Sequence, residues 1–280
     1  MTIPMDLVSW KYSGDAFQCN LSQPVSPLGT LRFAARPNRP LSLQLVNPQA
    51  QSNWSNAELF QQAAPWQKTS LTSQSFGLGK VNRDGLVHFE SGVETLLSGL
   101  ASGSWIRLEL DSTQAGHQQS VQIPSTRIQS AVARFNQCRA KLPQMAFTEA
   151  RDLVLQFNFG QRVVSAAQRQ QLQALASYVR VDSEVNKVLI DGHTDNVGNA
   201  IANLQIARVR ADDVASVLVE LGLPVAKLEV RAHGDRYPVA SNRTKQGQAK
   251  NRRVTVRLIR SEQAVAAAQG RPGKLKTEVQ

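Results

Sequence analysis

Alternation of apolar and polar positions predicts a half-buried β-strand over residues 151–160, RDLVLQFNFG. The apolar positions that would share one face are Leu153, Leu155, Phe157 and Phe159. A side-chain period of two residues is typical of a strand with one face in a core. The strand therefore begins a segment whose pattern differs from that of the chain before it.

Two stretches after this strand change to helical spacing. Residues 165–180 begin with Ser165 followed three positions later by Gln168, which is the pattern of a capping box. Residues 203–223 carry an apolar stripe with alternating steps of three and four, and Gly222 with Pro224 ends it. The stripe consists of Leu204, Ala207, Ala211, Val214, Leu218 and Leu221. Both stretches are predicted to be amphipathic helices.

Short apolar runs separate and follow these helices, namely KVLIDG, KLEVRAHG and RRVTVRLI. The order over residues 151–260 is therefore β-α-β-α-β-β. This order is typical of an α+β sandwich with helices on one face of a mixed sheet. Residues 261–280 are predicted to be a disordered tail.

Residues 1–142 are predicted to form a separate, β-rich domain. The segment LRFAARPNRPLSLQLV places two alternating runs around Pro-Asn-Arg-Pro, and Asp84-Gly85 separates two further short runs. Both patterns indicate β-hairpins. A helical stretch ends the domain, with Ile128, Val132, Phe135 and Leu142 as its core positions. Residues 143–150 are the predicted linker.

Composition narrows the class of protein. No run of 18 apolar residues occurs, so no transmembrane segment is predicted. The net charge of +11 fits either a solvated basic surface or an anionic partner. Nucleic acid is disfavoured, because aromatic residues are not interleaved with the basic ones and no zinc-finger or helix-turn-helix spacing appears. The first residues do not form a secretory signal, so the protein is either cytosolic or has lost its signal peptide.

Cys19 and Cys138 are the two cysteines of the chain. Their spacing is not that of a zinc site, and no histidine or cysteine cluster accompanies them. They are either two buried thiols or one long-range disulfide. A disulfide would require an oxidising compartment, and the sequence by itself leaves both interpretations open.

The stretch GHTDNVGN, within residues 188–199, interrupts an apolar run with His193, Thr194 and Asp195. Catalysis is disfavoured, since adjacent side chains diverge and no base is placed beside a nucleophile. A metal site made of His193, Asp195 and His233 would need more converging ligands. A satisfied structural role is the preferred interpretation of His193. No catalytic residue, metal or cofactor is predicted.

The stretch GHTDNVGN is better explained as part of a ligand-binding site than as a catalytic or metal site. Asn203 and Arg210 lie two helical turns apart, on one side of the second helix and beside its apolar stripe. Together with Asp195 they could hold a zwitterion, with the carboxylate of Asp195 on an ammonium and the guanidinium of Arg210 on a carboxylate. The alternative is a salt bridge between Asp195 and Arg210 inside the domain.

The motifs LQFNFG, SAAQRQQL, GHTDNVGN, RVRADDV and NRTKQGQAKNRRVTVRL, in this order over residues 151–260, resemble the OmpA-like family of peptidoglycan-binding domains. The resemblance implies that Asp195 and Arg210 bind the diaminopimelate of the stem peptide. It also implies that Thr194, Asn203 and Arg252 line the site. The chain departs from the family at Ala207, where serine is frequent, and at Ala232, where glycine is frequent.

The first half, through CNLSQPVSPLGTLRFAARPNRPLSLQL, PWQK and RIQSAVARFNQC, resembles the N-terminal domains of the MotY family of flagellar motor proteins. This implies a periplasmic protein with a removed signal peptide and a bridge between Cys19 and Cys138. The expected partners are peptidoglycan, the flagellar basal body, a MotX-like protein and the stator complex, which a ring of this protein would help to recruit. The alternative is a generic cell-envelope anchor for another assembly, and an enzyme acting on peptidoglycan has no residue constellation to support it.

Overall fold

The computed structural model of the protein describes residues 1–47, 54–67, 73–82, 86–112 and 118–261. The chain divides into two compact units, one spanning Met1–Leu142 and a second that begins at Pro143. Among the described residues, no helix combines the length and apolar character that crossing a bilayer requires.

The first unit is rich in strands. Its strands are β1 (Lys11–Gly14), β2 (Cys19–Val25), β3 (Gly29–Ala35), β4 (Ser42–Val46), β5 (Trp54–Gln62), β6 (Ser73–Leu78), β7 (Lys80–Val81), β8 (Val87–Phe89), β9 (Trp105–Ser112) and β10 (Gln118–Ile123). Its helices are α1 (Val93–Ala101) and α2 (Gln129–Arg139).

These strands form two antiparallel sheets, ordered β1-β2-β3-β4-β8-β7 and β10-β9-β5-β6. The hairpin predicted around Pro-Asn-Arg-Pro is confirmed, because β3 pairs with β4 and the amide of Arg39 bonds to the carbonyl of Arg36. Strands β7 and β8 also pair, while the predicted turn at Asp84-Gly85 lies outside the described residues.

One apolar core holds the first unit together. Alternate residues of the strands supply most of it, α2 adds Val132 and Phe135, and Ile128 joins the core from the position just before the helix. Phe135 is fully buried, as the helical spacing predicted, and Leu142 packs against the same cluster from a partly buried position. The helix at the end of the unit is therefore part of its core.

The second unit alternates helices and strands. Its elements are α3 (Phe147–Ala150), β11 (Asp152–Gln156), α4 (Ala166–Val181), β12 (Val185–His193), α5 (Ala200–Glu220), β13 (Leu228–Gly234), α6 (Lys245–Asn251) and β14 (Arg253–Arg260). A single 3-10 turn, Val225–Lys227, precedes β13.

The sheet of the second unit has the order β11-β14-β12-β13, with β12 parallel to β13 and antiparallel to β14. The predicted α+β class and mixed sheet are thus confirmed. The predicted order β-α-β-α-β-β omitted α3 and α6, which are too short to show a helical period. The predicted stripe of α5 is buried at Ala207, Ala211, Val214 and Leu218. At its two ends the prediction is wrong, because Leu204 is 41% exposed and Leu221, which follows the helix, is only partly buried.

Three boundary predictions differ from the structure. Residues 143–150 belong to the second unit, where Ala150 is fully buried and the ring of Phe147 lies 5.9 Å from that of Tyr178. Phe159 does not continue the buried face of β11, which ends at Gln156, and its side chain is 75% exposed. Of the predicted tail, Ser261 still bonds to the carbonyl of Glu184, and residues 262–280 lie outside the described part.

Candidate functional site

The candidate site lies where β12 ends and α5 begins. Gly192 brings the strand against the helix, because a Cβ at this position would collide with the main-chain carbonyl of Ala207. After the strand, the amide of Thr194 bonds to the carbonyl of Gly234 at 2.9 Å, which ties the loop to the end of β13. Asn199 then caps α5 by accepting a hydrogen bond from the amide of Ala202 at 2.8 Å.

Asp195 forms an ion pair with Arg252 at the end of α6. Its Oδ2 lies 2.8 Å from Nη1 of Arg252, and the two side chains are only 6% and 14% exposed. Nε of Arg252 also donates to the carbonyl of Phe157 at 3.2 Å, so one arginine joins the loop after β11 to the loop after β12. The other oxygen of Asp195 accepts from the amide of Val197 at 3.2 Å. The ion-pair partner of Asp195 is thus Arg252 and not Arg210.

Arg210 is buried without a carboxylate partner among the described residues. Its side chain is 2% exposed, and its Nε donates to the carbonyl of Gln161 at 2.8 Å. The guanidinium carbon lies 5.2 Å from the ring centroid of Phe157, within the range of a cation–π contact. Nη1 has no hydrogen-bond partner. The guanidinium of Arg210 can therefore donate a further hydrogen bond.

Electrostatics around Arg210 add to this picture. Burial, together with the charges of Arg252 and Arg162, lowers the pKa of Arg210 to about 10, although the charge of Asp195 acts in the opposite direction. The side chain therefore remains a cation at neutral pH. Its surroundings disfavour the positive charge, and a carboxylate placed beside the guanidinium would stabilise that charge.

The other predicted residues complete the same wall. Asn203 lies two helical turns before Arg210, on the same side of α5. Its side chain is 2% exposed, and its Nδ2 donates to the carbonyl of Asp195 at 3.3 Å. Thr194 is also buried, and its hydroxyl has no partner. The seven-residue spacing therefore identified two side chains that the helix presents together.

A cleft of about 190 Å³ opens between these side chains. All five predicted residues line it, which are Thr194, Asp195, Asn203, Arg210 and Arg252. The remaining lining residues are Phe159, Gly160, Gln161, Arg162, Val197 and Ile206. The cleft thus combines one carboxylate, three guanidinium groups and apolar walls.

Sequence reasoning missed the residues that shape the loop after β11. Gln161 accepts from the amide of Asn158 at 2.9 Å and donates to Gln168 at 2.8 Å. The amide of Val164 donates to Asp213 of α5 at 2.6 Å. The capping box that the sequence indicated is present, and its Gln168 is the same side chain that anchors this loop. In the sequence, the capping box of Ser165 and Gln168 was therefore the only pattern that pointed to the structure of this loop.

Asp191, also missed, organises the ends of β12 and β13. Its carboxylate receives two hydrogen bonds from Arg231, at 2.6 and 2.7 Å, and one contact of 2.7 Å with Nε2 of His233. Burial would raise the pKa of Asp191, but the hydrogen bonds and charges of Arg231 and His233 hold it below its usual value. His233 is thus committed to Asp191 rather than to Asp195.

His193 is not fully hydrogen-bonded, which differs from the satisfied structural role that its sequence context predicted. Its ring stacks on that of His233, with 4.9 Å between centroids, and its Nδ1 is buried without a partner. Burial lowers the pKa of His193 to about 4, and the charges of Arg253 and His233 contribute in the same direction. The described part of the chain contains no cluster of three or more metal-ligating side chains placed to hold an ion.

In the first unit, Cys19 and Cys138 form a disulfide, with 6.0 Å between their Cα atoms. Cys19 begins β2 and is fully buried, while Cys138 lies near the end of α2. The bridge therefore connects an early strand of the unit to its last helix, as the resemblance implied.

Comparison with known proteins defines the class first. The model of the OmpA family matches residues 156–252, a span that contains every residue lining the cleft. The cleft therefore lies in an OmpA-like domain. The model of the MotY N-terminal domain matches residues 2–143, half of the chain, and the protein belongs to this family.

Individual proteins are also similar to parts or most of this chain. The sodium-type flagellar protein MotY of Vibrio parahaemolyticus is 25% identical over 249 residues, which cover 88% of this chain and 85% of that protein. The peptidoglycan-binding protein ArfA of Mycobacterium bovis is 40% identical over 70 residues, covering 25% of this chain and 22% of that protein. The crystal structure of the peptidoglycan-associated lipoprotein from Burkholderia pseudomallei is 30% identical, with a TM-score of 0.36, over 38% of this chain and 89% of that one.

Proposed function

We propose that this protein is a periplasmic component of the flagellar motor that anchors the motor to the cell wall. The second unit binds peptidoglycan non-covalently, and the first unit docks on the flagellar basal body. There, copies of the protein form a ring that, with a MotX-like partner, helps to recruit and hold stator units. Membership of the MotY family supports the motor assignment, and the OmpA-like domain with its cleft supports the wall assignment.

The observation that carries the wall-binding part is Arg210, a buried guanidinium with an unpaired donor beside the carboxylate of Asp195. A diaminopimelate side chain carries one ammonium and one carboxylate, which is the complementary arrangement. Its carboxylate would bind Arg210, because the fork geometry of a guanidinium suits a carboxylate. The hydroxyl of Thr194, also unpaired, would add a hydrogen bond.

Asp195 would bind the ammonium. The carboxylate already interacts with Arg252 and with the amide of Val197. An ionised carboxylate has about four acceptor positions, so it can accept a further donor. Arg252 thus holds Asp195 in place, and Asn203 fixes the main chain behind it through the carbonyl of Asp195.

Pelleting of the full chain with purified sacculi tests this proposal. Arg210→Gln and Asp195→Asn should each weaken pelleting about tenfold to a hundredfold, since a charge-assisted contact is worth about 1.5–3 kcal/mol. Arg208→Gln and Asp212→Asn are matched controls, because these residues lie on the same helix, are exposed and pair with each other outside the cleft. Undiminished pelleting of the cleft variants, with their melting temperatures unchanged, would refute the binding site.

Motility tests the other part. Deletion of the protein should abolish or impair swimming, and a tagged copy should localise to flagellar bases through its first unit. A protein that pellets with sacculi but whose loss leaves swimming and flagellar localisation unaffected would instead be an envelope anchor of another assembly.

A further inference from the structure

Charges in the cleft do not balance for a simple zwitterion. The charged lining residues are Arg162, Asp195, Arg210 and Arg252. Asp195 and Arg252 pair with each other. Arg210 and Arg162 remain without a carboxylate among the described residues. One ligand carboxylate can satisfy only one of these two arginines.

The two arginines occupy different depths of the cleft. Arg210 is buried in the wall that α5 forms, whereas Arg162 is exposed and lies on the loop between β11 and α4. The two are close enough for the charge of Arg162 to affect the ionisation of Arg210. A ligand whose first carboxylate reaches Arg210 would therefore bring its neighbouring groups towards Arg162.

Hydrogen bonds fix the main chain on both sides of Arg162. The carbonyl of Gln161 accepts from Nε of Arg210 at 2.8 Å, and the amide of Val164 donates to Asp213 at 2.6 Å. The side chain of Gln161 also donates to the carbonyl of Val163 at 2.9 Å. Arg162 thus projects from a pre-organised loop, so that binding an anion would order only its side chain.

We infer that Arg162 is a specificity-determining residue that binds a second carboxylate of the ligand, so that the cleft selects stems carrying two free carboxylates beside the ammonium. This inference rests on the proposed function and defines its ligand class. In a stem peptide, the second carboxylate can be the free α-carboxylate of the γ-linked glutamate that precedes diaminopimelate. It can also be the carboxylate at the end of an uncrosslinked stem. Both present the same chemistry to a guanidinium, and amidation removes it from either one.

Calorimetric titration of the full chain with four synthetic tetrapeptide stems tests the inference. All four keep the diaminopimelate side chain free. The first also keeps both other carboxylates, the second has the glutamate amidated, the third has the C-terminus amidated, and the fourth has both amidated. The unaltered protein should bind the first stem about two- to fivefold more tightly than the fourth, which corresponds to the strength of an ion pair at an exposed rim. The singly amidated stem that loses this advantage identifies the source of the carboxylate.

Arg162→Gln should abolish the preference, so that the four stems bind this variant about equally. Arg208→Gln removes the same charge from the exposed face of α5 and should keep the preference. An Arg162→Gln protein that retains the full preference, or that loses affinity equally for all four stems, overturns the inference. If the unaltered protein binds none of the stems, the wall-binding function itself fails, which is a separate and recognisable result.

Discussion

Arg210 is the residue to which the proposed function assigns the ligand carboxylate. Its guanidinium is buried, its pKa is lowered to about 10, and one of its donors is unpaired. Each of these features costs free energy in the unliganded protein. We therefore expect Arg210→Met to change the free energy of unfolding by no more than about 1–2 kcal/mol, because relief of these costs offsets the lost hydrogen bond to the carbonyl of Gln161, while wall binding is lost. Chemical denaturation and sacculus pelleting of the same samples measure both effects.

Arg252→Met is the matched comparison. It removes an arginine from the same cleft but leaves Asp195 buried without its ion-pair partner. Removing one partner of a buried pair costs about 3–5 kcal/mol, so this variant should lose both stability and binding. Equal stability of the Arg210→Met and Arg252→Met proteins would contradict the distinct roles assigned to the two arginines.

His193 makes the stability of the second unit depend on pH. Its folded-state pKa of about 4 lies below the usual value of 6.5, so the unfolded chain binds more protons between these limits. Stability should therefore fall as the pH decreases from about 6.5 towards 4, by up to about 1.4 kcal/mol per pH unit. In His193→Asn, the loss between about pH 7 and pH 4.5 should be smaller by about 2 kcal/mol. An identical loss in both proteins would show that His193 is not responsible.

At the scale of elements, the contact between β12 and α5 depends on Gly192. A methyl group there would collide with the main-chain carbonyl of Ala207, so the strand and the helix would have to separate. Gly192→Ala should destabilise the protein by about 2–3 kcal/mol, as overpacking of a core does. Because the obstacle is backbone, Ala207→Gly should not rescue the variant, and a thermal melt of the double variant should show the two losses adding. Recovery in the double variant would place the collision in the side chain of Ala207.

Local spacing predicted what a single element determines. The step of seven between Asn203 and Arg210 identified two buried neighbours on α5, and the capping box at Ser165 marked the start of α4 correctly. The partner of Asp195 could not be found in this way. Arg252 is 57 positions away, and it reaches Asp195 because α6 ends beside the loop after β11.

The same limit explains the other differences. The strand pattern placed Phe159 on the buried face, but the alternation stops where β11 ends at Gln156. Beyond that point the hydrogen bond from the amide of Asn158 to Gln161 shapes the main chain as a loop. The bonds of Asp191 to Arg231 and His233 depend on the parallel pairing of β12 with β13, which no periodicity within one strand reveals. The fold class followed from the sequence, whereas the hydrogen-bonded frame of the site followed from contacts between distant segments.

For the whole molecule, the disulfide should stabilise one unit only. Both cysteines belong to the first unit, and the bridge closes a loop of 119 positions. In the chain-entropy model such a loop contributes about 5 kcal/mol, so Cys19→Ser with Cys138→Ser should lower the melting temperature of the first unit. Pelleting with sacculi should persist, because the cleft lies in the second unit. Thiol titration of the unfolded, unreduced protein should find no free thiol, and two titratable thiols would contradict the bridge.

The position of the bridge also has a mechanical consequence. If the second unit is held by the wall while the first unit is held by the motor, tension enters the first unit through the short stretch 139–142 and reaches the covalent link at Cys138 almost at once. Where the load leaves the unit at or before Cys19, it passes directly from Cys138 to Cys19 and β2, and the residues between the cysteines carry no tension. At about 3.5 Å per residue, the segment that the bridge prevents from extending would be roughly 400 Å long when fully stretched. Under such a load the covalent path through the bridge keeps the first unit from extending, even when its non-covalent contacts break.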